Sequence, residues 1–215
     1  MPVVFDLKID EHTELAVWKI EESHEQLMSG LQLKQHELDI IDSFKSEKRA
    51  LQWLSTRLLL RTMLDTKEYI DCKMDDHGKP YLVNYDYHIS LSHSYDYAAV
   101  MISRDADKKV GLDMEMIKHK IKLVRHKFLS DVELAQKQIG DNINGLYVCW
   151  CAKEAIYKWH GRKELEFKRD IHIKPFKLRD EGDLIASVEL PEGTRELEVN
   201  YFKTDDGYML GYVIG

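Results

Sequence analysis

Cysteine is scarce in this chain of 215 residues, and the three present, Cys72, Cys149 and Cys151, form no C-x-x-C pair. Their odd number argues against a disulfide framework. Cys149 and Cys151 flank Trp150 and read as packing residues of a helix. Long apolar runs are missing as well: none approaches the roughly 20 residues needed to cross a bilayer, so no membrane association is expected. The start lacks the basic segment and apolar run of a signal peptide, carrying Asp6, Asp10, Glu11 and Glu14 instead, which points to the cytoplasm. An excess of positive charge is absent too, and a net charge of -7 disfavours general nucleic-acid binding. What is there is globular in composition, 44% hydrophobic and 32% charged, and long enough for one large domain or two halves of about a hundred residues.

Two segments carry the chemistry. In Val110-Gly111-Leu112-Asp113-Met114-Glu115, apolar residues alternate with Gly111, Asp113 and Glu115, the period of a strand that sends both acids to one face. In the segment through Trp150-Cys151-Ala152-Lys153-Glu154-Ala155-Ile156-Tyr157-Lys158, Val148, Cys151, Ala152, Ala155 and Trp159 make the apolar stripe of a helix. Trp150, Glu154, Tyr157 and Lys158 fall on its other side. Taken singly, Asp113 and Glu115 read equally as the solvated face of an edge strand, and Glu154 with Lys158 as an ordinary exposed pair worth about 0.2 to 0.5 kcal/mol. Taken together they suit a hard divalent ion held by carboxylates beside a lysine, an arrangement for chemistry on phosphate oxygens.

Elsewhere, Leu15–Ile20 reads as a strand and Glu21–Leu31 as a short helix or loop. Ser46 is placed to cap a helix whose apolar positions run from Leu51 to Leu64 and whose basic face holds Lys48, Arg49, Arg57 and Arg61. The arginines are either a solvated face or a phosphate clamp. Asp75–Pro80 is a turn by composition, followed by a strand with Ile89 and Leu91 pointing one way and Ser90 and Ser92 the other, and by an apolar strand from Tyr97 to Ile102. Arg104–Lys109 is the best boundary, dividing residues 1–105 from 106–215. The second part reads as a strand, a helix over about 144–159, then strands near Ile171, 184–190, 196–202 and 208–213. Between the two key segments, Lys118–Ser130 holds five Lys or Arg and no acid, and Ser130-Asp131-Val132-Glu133 reads as the start of a following helix.

Gly111-Leu112-Asp113-Met114-Glu115 and Trp150 to Lys158, at their mutual spacing, closely resemble the two signature motifs of the surfactin-synthetase-activating (Sfp-like) type of the 4'-phosphopantetheinyl transferase superfamily. Gly78-Lys79-Pro80 and Ser92-His93-Ser94 also resemble that family's pattern. The resemblance implies an α+β fold of two similar halves with the active site in the cleft between them. It further implies Mg2+-dependent transfer of the phosphopantetheine arm of coenzyme A to a serine of an apo carrier protein, with release of adenosine 3',5'-bisphosphate. By the same resemblance Asp113, Glu115 and Glu154 hold the metal, Glu154 accepts the serine proton and Lys158 stabilises the leaving phosphate, with Lys153 a weaker candidate beside it. Lys79, Pro80, Ser92 and His93, with an arginine of the 48–61 helix that is Arg49, Arg57 or Arg61, contact coenzyme A. Carrier proteins are commonly acidic, so the basic run near 118–128 is a candidate docking surface. A chain with both halves is expected to act as a monomer. The rival expectations are a metal-dependent phosphohydrolase and a carrier-binding module without catalysis.

Overall fold

The computed structural model describes residues 3–215, and the chain divides into two compact units. The first gathers the described residues up to Met74 with Pro80–Ala106, the second Asp75–Lys79 with Asp107–Gly215. Residues 75–79, which a single boundary near 105 leaves in the first half, therefore group with the second. The architecture is α+β, with one antiparallel sheet in each unit.

In the first unit the elements are β1 (Val3–Lys8), β2 (Thr13–Lys19), α1 (His24–Ser29), α2 (Gln35–Asp42), α3 (Glu47–Met63), β3 (Cys72–Met74), β4 (Pro80–Leu82), β5 (His88–Ser94) and β6 (Tyr97–Ser103). The sheet order is β1-β2-β6-β5-β4-β3. Strand β6 lies inside that order and is buried along its whole length, in keeping with its apolar run from Tyr97 to Ile102. Helix α3 covers the sheet by packing Leu59 and Leu60 against Ile89, Ala98, Val100 and Ile102. Ser46 is its N-cap with extended backbone, but the serine side chain makes no capping bond. The short helix α1 starts with a capping box between Ser23 and Gln26 and drives Leu27 against Ile41, Ala50 and Leu54. Two elements lacked a clear sequence signal. Strand β1 is an edge whose side chains are only half covered, and α2 buries only Glu37 and Ile41.

The second unit holds β7 (Val110–Met116), α4 (Ile121–Phe128), α5 (Asp131–Leu134), α6 (Ile143–His160), β8 (Ile171–Ile173), β9 (Glu181–Leu190), β10 (Gly193–Lys203) and β11 (Tyr208–Ile214). Its sheet order is β7-β11-β10-β9-β8. Helix α6 packs on the β7–β11 end, and two glycines set how closely. A Cβ at Gly111 would lie 1.9 Å from the Ala155 carbonyl oxygen, and one at Gly211, the cross-strand partner of Asp113, 3.1 Å from the Cys151 carbonyl carbon. The helix backbone thus rests on bare strand backbone at these points. The helix begins at Asn142, whose side chain accepts from the Gly145 N–H, and ends at Gly161 in the left-handed conformation (φ 73°). Among the described residues no helix is long and apolar enough to cross a membrane.

Candidate active site

The close approach at Gly111 brings the two key segments together. Asp113 is 6% exposed on β7, and the Lys158 ammonium on the last turns of α6 donates to its Oδ1 at 2.8 Å. Asp113, predicted on a polar strand face, is thus a buried acid in an ion pair. Glu154 lies one helical turn before Lys158. Burial, together with the charge of Asp113, pushes its carboxyl up to about 7, with Glu115 adding to the rise and Lys158 opposing it. The same two acids of β7 join burial in raising the buried Cys151 thiol well above its usual range. Negative charge is therefore concentrated at one place between β7 and α6.

Asp113, Glu115 and Glu154 are hard oxygen donors, the kind Mg2+ takes, and their mutual repulsion is what a cation would relieve. In donor chemistry they fit the metal. They do not form a ready ligand set: among the described residues no three His, Cys, Asp or Glu side chains are grouped to hold a metal ion. The cation that Asp113 does meet is Lys158.

Beside Glu115 opens a cleft of about 330 Å³, lined by Lys120, Ile121, Leu123, Val124, Tyr147 and Trp150. Its floor is stiffened by aromatic edge contacts, Trp150 against Phe128 at 4.9 Å and against Phe167 at 5.8 Å between ring centroids. Helix α4 buries Ile121 and Phe128 and turns Lys120, Leu123, Val124 and Lys127, spaced as one helical stripe, to solvent. Arg125 is not part of that stripe: it pairs with Asp141 and donates to the Gly140 carbonyl at 3.1 Å.

In the first unit, the residues predicted to contact coenzyme A separate into two places. Arg49, on the first turn of α3, contacts the His93 ring at the end of β5. Lys48 pairs with Asp96 at 2.9 Å and Gln52 donates to the Tyr95 carbonyl at 2.9 Å, so the start of α3 is fastened to the β5–β6 turn. Ser92 is 5% exposed and His93 is half-buried. Arg57 lies elsewhere. Eight residues along a helix rotate by about 80°, and its guanidinium stacks over Trp53 at 4.5 Å in a small cavity with Glu37 and Tyr69. Arg61 donates to the Lys67 carbonyl, so the arginines read as one stripe do not act as one group.

Lys79 stands in the second unit, where its ammonium donates to the Trp159 carbonyl at 2.7 Å near the end of α6. Burial, with the charge of Lys109, lowers it to about 8. Its turn is shaped by Asp75, whose carboxylate accepts from the backbone N–H of His77 and Lys79. Pro80 follows as the first residue of β4.

Comparison with known proteins bears on the second unit most directly: the sequence pattern of the 4'-phosphopantetheinyl transferase superfamily matches residues 109–213. This part of the chain belongs to that superfamily. Among curated relatives, "4'-phosphopantetheinyl transferase Sfp" of Bacillus subtilis is 26% identical over 200 residues, covering 88% of this chain and 84% of the relative. A "4'-phosphopantetheinyl transferase" of Bacillus subtilis is 28% identical over 64% of this chain, and a "Putative 4'-phosphopantetheinyl transferase" of Haemophilus influenzae 33% identical over 39%. The chain spans 59% and 37% of the length of these last two.

Within the matched part, Lys153 is not beside Lys158. One residue before Glu154, it is turned fully into the core, where its ammonium meets the Glu133 carboxylate at 2.9 Å and the carbonyls of Phe167 and Ile171 at 2.8 and 2.7 Å. Glu133 in turn accepts from the backbone N–H of Ser130 and of Ile173. This buried hub ties α5, α6 and β8 together. Its sequence signal is the S-x-x-E capping box at Ser130, whose acid here also serves a buried cation.

Proposed function

We propose that the chain transfers the 4'-phosphopantetheine arm of coenzyme A to a serine hydroxyl of an apo carrier protein, with Mg2+, and releases adenosine 3',5'-bisphosphate. The supporting observation is the Lys158–Asp113 pair beside a Glu154 carboxyl raised to about 7, in the part of the chain that belongs to this superfamily. Asp113, Glu115 and Glu154 would hold the ion, which supplies neutralisation of the pyrophosphate charge as its bond breaks.

The serine oxygen forms a bond to the phosphorus that carries the pantetheine, and the bond from that phosphorus to the bridging oxygen breaks. Glu154 takes the serine proton. A carboxylate placed at the reacting hydroxyl suits a general base, whose help is typically worth about 10²- to 10⁴-fold. Lys158 holds charge on the departing phosphate. Arg49 with His93, and Lys79, offer cationic contacts for the nucleotide phosphates, with Ser92 and Pro80 beside them; Arg57, stacked on Trp53, is withdrawn from this group. The apolar cleft beside Glu115 matches an extended pantetheine arm in size and character. The exposed Lys120 and Lys127 of α4, with Leu123 and Val124, form the surface for an acidic carrier.

Incubation with coenzyme A, Mg2+ and an apo carrier protein tests this directly. Mass spectrometry should find the arm on the carrier serine, and EDTA should prevent it. Release of inorganic phosphate without a modified carrier would instead indicate a phosphohydrolase.

A further inference from the structure

Among the described residues the expected ligand set is not assembled, and one of its members, Asp113, already meets a cation. The Lys158 ammonium lies 2.8 Å from Asp113 Oδ1, in a site where the two side chains are only 28% and 8% exposed. Of the other cations in this unit, Lys153 is held by Glu133 inside the core, and Lys120 lines the cleft together with Glu115.

We propose that Lys158 is a stand-in cation: in the absence of metal its ammonium holds Asp113, and a divalent ion must displace it before Asp113 can act as a ligand. This rests on Asp113, Glu115 and Glu154 being the metal ligands. In a half-buried site an ammonium and a divalent ion bound to the same carboxylate repel strongly, because little solvent screens them. The displaced lysine then needs a new anion, and the pyrophosphate of the substrate is one. Metal and coenzyme A would thus favour each other's binding, since each supplies what the other's arrival leaves wanting. The lysine would also keep the metal-free site from closing up or unfolding around an unpaired buried acid.

Metal binding without substrate separates this from an ordinary role of Lys158 on phosphate. Mn2+ would be titrated into the full-length protein with no coenzyme A, and the free ion followed by electron paramagnetic resonance, for the wild type, Lys158→Met, Lys158→Arg and Asp113→Asn. Removing the stand-in should tighten Mn2+ binding, by about tenfold on the usual scale of such couplings. Lys158→Arg, which can still reach Asp113, should stay near the wild type. Lys158→Gln gives the same comparison if the methionine variant folds poorly. Asp113→Asn should weaken binding. If Lys158→Met and Lys158→Gln bind no tighter while Asp113→Asn binds weaker, the stand-in role is overturned and the metal ligands stand. If Asp113→Asn binds as the wild type does, the ligand assignment fails, and the stand-in role with it.

Discussion

Glu154 is where a single residue's environment makes a measurable statement. Its carboxyl titrates near 7 in the folded chain but near 4.5 in the unfolded one, so the folded state holds the proton more tightly. The sign follows: the penalty for keeping a buried charge is absent below about 4.5, grows between about 4.5 and about 7, and is complete above that. Glu154→Gln should therefore melt a few degrees above the metal-free wild type at pH 8, with the gap closing by pH 5. An equal gap at both values would show that the carboxyl is not raised. Lys153 makes the complementary case. Lys153→Met strands the Glu133 charge in the core, a loss on the order of 3–5 kcal/mol, whereas Lys153→Met with Glu133→Leu removes both charges and should recover part of it. Denaturant unfolding of the two variants measures the difference; a double variant weaker than the single would contradict the account.

At the scale of the element, the legible parts were those with a period. The alternation of residues 110–115 gives β7 and the shared face of Asp113 and Glu115, and the apolar stripe of 148–159 gives α6. What no period carries is the distance between them. That depends on Gly111 and Gly211 letting a helix rest on strand backbone, a fact of packing that the G-L-D-M-E motif contains but does not explain. Arg57 shows the opposite failure: a plausible stripe of arginines on α3 breaks because its members rotate to different neighbours. Helix α4 is legible only in part, since its basic run is evident while the withdrawal of Arg125 by Asp141 is not. Charge reversal on the stripe that remains, Lys120→Glu with Lys127→Glu, should raise the KM for an acidic carrier several-fold and flatten its salt dependence, leaving the KM for coenzyme A little changed. Wild-type carrier kinetics at low salt would remove α4 from the docking surface.

For the whole molecule, each unit repeats one physical solution, a helix pressed on an antiparallel sheet. The superfamily match covers residues 109–213, the unit that holds Asp113, Glu115, Glu154 and Lys158. In the first unit Arg49 meets the His93 ring, and α3 is fastened to the β5–β6 turn. The central claim is that the carboxylates at the β7–α6 contact carry arm transfer. The most direct measurement is the single-turnover rate at which coenzyme A modifies a carrier serine, read by mass spectrometry for the wild type and Asp113→Asn, each shown to be folded by circular dichroism. The account predicts that the folded Asn variant loses transfer by at least about 10²-fold, the scale of losing one charge-stabilising group. Transfer at the wild-type rate in the folded variant would contradict it.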